Sequence, residues 1–221
     1  MIHKPVQAVI FDFNGTLFLD GPKHVEAWSI ISEKLRGRPL TEQELHESLN
    51  GLPNHMIIRY LSGNTSTPEL EQKYSVKKEE IYRDLCRNDP EHFHLIDGAQ
   101  ELFDALKAAG IPFTIASASI KDNIDFFVES FHLDKWIRPE DIQFDDGRFP
   151  DKTHMLLSAC NVMHVSPEQT TIIEDSISGV KAARAAGLKD IRIINSAKTP
   201  EVFEELQVDE IAEDMNGLHL L

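Results

Sequence analysis

Phe11-Asp12-Phe13-Asn14-Gly15-Thr16-Leu17 is the stretch on which the reading of this chain turns. It grows out of Ala8-Val9-Ile10-Phe11, an apolar run of the length and composition of a short buried strand. A strand that breaks at once into Asp-x-Asn-Gly-Thr sets a carboxylate on the strand tip and a glycine where the chain must turn. In open parallel α/β sheets, ligands bind at such tips. An aspartate held there can ligate Mg²⁺ and can attack phosphorus to give an aspartyl phosphate. The same letters also spell an ordinary Asx-Gly turn, so the other loops have to decide.

Working outward, the chain alternates strand and helix from Asp97 onward. Helical patterns run over 98–109, 122–131, 152–162 and 177–186, with Gly110 and Gly187 placed to end two of them. Between them, 112–116, 142–144, 170–173 and 191–194 read as short strands. Repeated β-α units with short loops predict a Rossmann-like parallel sheet with helices on both faces.

From about 23 to 92 no strand pattern occurs. His24, Ala27, Trp28, Ile31 and Leu35 share a helical face that stops near Gly37. Thr41-Glu42-Gln43-Glu44 is a capping box that opens a second helix through about Leu49. Pro53 starts a third, carrying Ile57, Ile58 and Leu61, and Thr67-Pro68-Glu69 opens a charged helix to about Arg87, with a break expected near Ser75. The expected organisation is a core of residues 1–17 and 93–221 interrupted by an inserted α-helical cap, residues 18–92.

The 221 residues carry a formal net charge of −15, with 41% hydrophobic and 27% charged residues. That balance suits a soluble globule and disfavours nucleic acid or an anionic membrane as partner. Cys86 and Cys160 form neither a disulfide framework nor a zinc pattern, and the first residues lack the apolar stretch of a signal peptide. A cytoplasmic protein is expected, and a monomer is favoured.

Three further loops carry chemistry. Ser117-Ala118-Ser119 offers hydroxyls and backbone N–H groups for phosphate oxygens, although Ser119 also suits a helix N-cap. Lys152, at the start of a helix, suits either a surface charge or a point contact to a phosphoryl group and a carboxylate. Glu174-Asp175 ends a buried strand, where two acids call for a cation such as Mg²⁺ or for helix-capping work. Taken together with Asp12, these loops supply the parts that phosphoryl transfer requires.

The chain resembles the haloacid dehalogenase superfamily of aspartate-nucleophile phosphotransferases over essentially its whole length. Residues 11–17 look like the family's first motif, Ile115-Ala116-Ser117 its second, Lys152 its third and Ile173-Glu174-Asp175-Ser176 its fourth. Within the superfamily the branch of β-phosphoglucomutase and related sugar-phosphate phosphatases is similar. Ala116 to Ser119 matches its second motif, and His24 and Trp28 match a histidine and tryptophan of its cap. The resemblance implies Asp12 as nucleophile, with Asp12, the Asn14 carbonyl, Glu174 and Asp175 holding Mg²⁺. It implies Ser117, Ala118 and Lys152 on the phosphoryl group, His24 and Gly51 toward a small phosphorylated metabolite, and a cap that closes over it.

Asn14 departs from the pattern, which has a second aspartate there as general acid and base. An amide can neither protonate a leaving alcohol nor deprotonate water. Three readings stay open: a phosphatase or phosphotransferase that manages without that aspartate, through His24 or a substrate with a good leaving group; a catalytically impaired phosphate-ligand binding or regulatory protein; or an asparagine engineered to trap a complex, or a natural variant with no mechanistic purpose. The basic residues with which β-phosphoglucomutase grips its sugar phosphate are also unmatched near Asn50-Gly51, and Lys152 lacks the usual Pro-x-Pro after it.

Overall fold

The computed structural model describes residues 6–44, 49, 52–195 and 201–220. The chain divides into two compact units, Met1–Leu19 with His94–Leu221, and Asp20–Phe93.

The first unit is built on strands β1 (Ala8–Phe11), β2 (Phe113–Ile120), β3 (Gln143–Asp145), β4 (Thr170–Glu174), β5 (Asp190–Ile194) and β6 (Glu210–Ala212). They form one sheet in the order β3-β2-β1-β4-β5-β6, and every pairing between them is parallel. β1 therefore lies at the point where the strand order reverses direction, the place at which open α/β sheets form their binding crevice. β1 itself is apolar and buried along its whole length, as a strand covered on both faces should be.

In the second unit, helices α1 (Gly21–Arg36), α2 (Glu42–Glu44), α3 (Asn54–Leu61) and α4 (Pro68–Arg87) pack on a core of Trp28, Ile31, Leu40, Ile57, Ile58 and Leu61. Gly37 ends α1 with φ +72°, donating its N–H to Glu33 O. The Glu44 N–H bonds Thr41 Oγ1 at 3.1 Å, as a capping residue should. The expected run of that second helix to Leu49 falls largely on positions outside the described residues. α4 is unbroken, contrary to the expected interruption near Ser75. The Ser75 hydroxyl donates to Glu71 O at 2.8 Å, so the serine bonds back onto its own helix instead of leaving it.

The remaining helices of the first unit are α5 (Ala99–Ala109), α6 (Lys121–Phe131), α7 (Lys152–Met163), α8 (Ile177–Ala185) and α9 (Glu201–Glu204). α7 and α8 bury Leu156, Ala159, Val180 and Ala183 against Ile10, Ala116, Ile172 and Ile193 of the sheet. β2 reaches four residues beyond its expected end at Ala116, so Ser117 and Ser119 lie on strand and the position before α6 belongs to Ile120. The capping reading of Ser119 is thereby overturned. β6, in which apolar Ile211 stands alone between Glu210 and Ala212, carried no readable strand pattern.

Candidate functional site

Register builds the site. Phe11 pairs with Ile115 on one side and Ile173 on the other, so the residues that follow on β1, β2 and β4, Asp12, Ala116 and Glu174, stand side by side. The Asp12 N–H donates to Ile173 O at 2.9 Å, extending the ladder one step past β1 and holding Asp12 beside Glu174. The chain then turns tightly. Leu17 and Phe18 both donate their N–H to Phe13 O, at 2.9 and 3.0 Å, and Gly15 donates to Phe18 O at 2.8 Å. Gly15 has φ +83°, and a Cβ there would stand 2.1 Å from Asp175 Oδ2. Glycine thus serves the turn and admits the Asp175 carboxylate at once.

Asp12 and Glu174 are buried, at 6% and 0% exposure, and one ammonium serves both. Lys152 Nζ donates to Asp12 Oδ1 at 2.7 Å and to Glu174 Oε1. Burial opposes a charged lysine, but these two carboxylates outweigh it and hold the Lys152 pKa above its ordinary value. The surface-charge reading of Lys152 does not describe this residue. Burial likewise works against the Glu174 carboxylate, yet Lys152 and the Ser176 N–H and hydroxyl hold its pKa below the usual value. Glu174 Oε2 accepts from the N–H groups of Asp175 and Ser176 at 2.8 and 2.7 Å and from Ser176 Oγ at 2.9 Å. Gly179 makes room for it, since a Cβ on that residue would stand 1.8 Å from Glu174 Oε1.

Asp175 is different. Thr16 donates to its Oδ1 at 3.3 Å, but burial and the negative charges of Asp12 and Glu174 push the carboxyl up to about 8. Carboxylate oxygens of Asp12, Glu174 and Asp175 lie within 4.8 Å of one another. An excess of negative charge on clustered hard oxygens, balanced by one lysine, is the setting that a hard divalent cation fits.

Asn14 faces the next strand tip. Its Oδ1 accepts from Ser117 Oγ at 3.1 Å and from Ser119 Oγ at 2.7 Å, and the Ser119 N–H donates to Ser117 Oγ at 3.1 Å. Ala118 is exposed between the two serines. Asp12, Asn14, Ser117, Lys152, Glu174 and Asp175 therefore all belong to one sheet edge of one unit. Gly51 lies outside the described residues.

His24 belongs to the helical unit, in a buried polar network of its own. Lys78 Nζ donates to His24 Nδ1 at 2.8 Å and to Glu79 Oε1 at 3.0 Å, and His24 Nε2 lies 3.1 Å from Asp20 Oδ2. The His24 ring stacks on Tyr82 at a centroid distance of 4.3 Å, and Tyr82 donates its hydroxyl to Asp20.

Sequence comparison agrees with this geometry. A family model described as haloacid dehalogenase-like hydrolase matches residues 9–193. The chain belongs to the haloacid dehalogenase-like hydrolases. Among curated proteins, it is 27% identical over 192 residues to a phosphorylated carbohydrates phosphatase of Thermotoga maritima, covering 84% of each chain. Among solved structures, a family IA, variant 3 hydrolase of this type from Entamoeba histolytica shares 34% identity at a TM-score of 0.89, covering 97% of this chain and 96% of that one. A β-phosphoglucomutase from Clostridium difficile has the same fold at TM-score 0.74 and 20% identity, over 97% and 93% of the two chains.

The sequence alone assigns no role to Thr16, to the Ser176 hydroxyl, to Gly15 as an approach site or to Gly179. The signal for Gly179 was present as a glycine in the first turn of a helix, a position that glycine destabilises unless something needs the space.

Proposed function

We propose that this chain is a Mg²⁺-dependent phosphatase or phosphotransferase acting on a small phosphorylated metabolite through an aspartyl phosphate on Asp12. The observation that carries the reading is the Lys152 ammonium shared between Asp12 and Glu174 at adjoining strand tips, with Asp175 alongside. In this reading Asp12, Glu174, Asp175 and the Asn14 backbone carbonyl hold Mg²⁺, which when bound neutralises phosphoryl oxygens and the clustered carboxylates. Lys152 keeps Asp12 ionised and oriented and offers its ammonium to the phosphoryl group. Ser117 and the backbone beyond it receive the remaining phosphoryl oxygens. The Asp12 carboxylate then attacks phosphorus, the bond from phosphorus to the leaving oxygen breaks with its electron pair departing on the leaving group, and the acyl phosphate so formed is later opened by water. The Thermotoga relative's name, a phosphatase of phosphorylated carbohydrates, supports a small phosphorylated metabolite as substrate.

The test is phosphate release from a panel of small phosphate esters and acyl phosphates with and without Mg²⁺, for the chain and for Asp12→Ala. Mg²⁺-dependent release that Asp12→Ala abolishes is expected. Tight binding of phosphorylated ligands by the chain, with no turnover and no phosphoryl transfer to Asp12, would favour a binding or regulatory protein instead.

A further inference from the structure

Ester cleavage by an aspartate nucleophile needs a proton for the departing alkoxide, and hydrolysis of the acyl phosphate needs a base for the incoming water. Asn14 can supply neither. Two serine hydroxyls pin its amide by the oxygen, and a hydroxyl is no acid near neutral pH. Asp12 and Glu174 are committed to Lys152, and Asp175 belongs to the proposed metal-holding set.

His24, the remaining sequence candidate, is engaged inside the helical unit at both ring nitrogens. The Lys78 ammonium can only donate, so Nδ1 is the acceptor and Nε2–H points to Asp20. Lys78 itself is buried, and burial pulls its pKa below the ordinary lysine value.

We infer that the serine-pinned amide of Asn14 restricts this chain to phosphoryl donors whose leaving group departs without a proton, acyl phosphates and phosphoanhydrides, and leaves the phosphoryl group stored on Asp12. The inference rests on the reading of Asp12 as the nucleophile. In the first step an Asp12 carboxylate oxygen forms a bond to phosphorus while the bond from phosphorus to the leaving oxygen breaks. The electron pair leaves with a carboxylate or a phosphate, which is stable as an anion. In the second step water adds to phosphorus, the bond from phosphorus to Asp12 breaks, and the proton of water passes to solvent. With an amide at the position where the base would stand, the second step is the slow one. A burst of one leaving group per chain follows, and the aspartyl phosphate accumulates.

The experiment uses the full chain in Mg²⁺ buffer with acetyl phosphate, a series of aryl phosphates of graded leaving-group acidity and glycerol phosphate, beside Asn14→Asp and Asp12→Asn. Leaving-group release is followed in rapid mixing, and intact mass and peptide mapping follow the phosphoryl group. The parent is expected to gain one phosphoryl group on Asp12 from acetyl phosphate, with a burst. Its rates should fall steeply along the aryl series, and glycerol phosphate should react about 10²–10⁴-fold more slowly than with Asn14→Asp. Asn14→Asp should show a shallow dependence, no burst and faster steady turnover, and Asp12→Asn should take no label. A parent that hydrolyses glycerol phosphate as fast as Asn14→Asp, without a burst, overturns the inference and leaves the phosphatase reading standing. If neither the parent nor Asn14→Asp is labelled or turns over any donor, both fall.

Discussion

Two buried charge clusters, one in each unit, are built from the same side-chain types and end in opposite electrostatic states. In the helical unit, Asp20 takes hydrogen bonds from Tyr82 and His24, and Glu79 takes them from Lys78 and Asn54, the last at 2.7 Å. Lys78 also lies over the rings of Trp28 and Tyr82, at 5.5 and 5.2 Å from their centroids. Its anions are met largely by neutral donors, which stabilise charge without adding any. At the sheet edge, Asp12, Glu174 and Asp175 crowd together against Lys152, and the cost appears on Asp175, whose carboxyl is pushed up to about 8. The difference separates a network that completes itself from one whose clustered carboxylates could hold a metal ion.

The largest expected effect lies on the sheet-edge side. Asp12→Asn should lower Mg²⁺-dependent phosphoryl transfer on the order of 10⁴-fold, as loss of a nucleophile does in other covalent enzymes, while circular dichroism stays unchanged. Retention of a tenth of the activity would remove Asp12 from the chemistry.

Next comes the helical unit. Lys78→Met strips the ammonium from buried Glu79 and from the His24 contact, and urea unfolding should show a loss of about 3–5 kcal/mol, the usual cost of orphaning one partner of a buried pair. Mg²⁺ should not restore it. Rescue by Mg²⁺ would erase the contrast between the two clusters.

Gly179→Ala should cost about 1–3 kcal/mol, because its Cβ would meet the Glu174 carboxylate and that carboxylate is fixed by Lys152, Ser176 and two backbone N–H groups. It should also weaken Mg²⁺ binding by titration calorimetry. A substitution neutral in both measurements would mean that Glu174 moves aside at no cost.

The smallest effect is a pH dependence. The Asp175 pKa of about 8 in the folded chain stands above its ordinary value of 3.8. Between those values the folded chain holds a proton that the unfolded chain has released. The stabilising contribution is complete below about pH 4 and is lost as pH rises through about 8. A bound cation favours the ionised form, so Mg²⁺ should raise Tm by a few degrees more at pH 8 than at pH 5. Asp175→Asn should remove that difference, and equal Mg²⁺ shifts at both pH values would show that Asp175 takes no part in holding the cation.

The sequence reading and the structure agree where chemistry is local. The apolar run of β1 and the turn chemistry of Asn14-Gly15 are written in adjacent residues, as are the alternation of helix and strand after Asp97 and the absence of strands among the described residues between 23 and 92. Residue types alone also marked Asp12, Ser117, Lys152 and Glu174-Asp175, because buried acids and a lysine at strand and helix ends need partners. At Ser119 a distant partner outweighed a local preference, whereas at Ser75 the contact is within one helix. Ser119 is a good N-cap by type, but Asn14 of β1's turn claims its hydroxyl, and β2 runs on past it. Ser75 has the look of a break, but its bond to Glu71 keeps α4 whole.

By itself, then, the sequence determined an α/β chain with a helical insertion and a set of acids, serines and a lysine at strand and helix ends, since periodicity and residue chemistry are properties of neighbours along the chain. Only the tertiary structure decided which of those side chains share a proton, a charge or a space. It tied Lys152 to both Asp12 and Glu174, engaged His24 with Lys78 and Asp20, and turned the Asn14 oxygen to two serines. Apart from His24 with Asp20, one helical turn apart, those pairings span 22 to 140 residues of sequence, and hydrogen-bond and Coulomb energies depend on distance in space, which strand register and helix packing set.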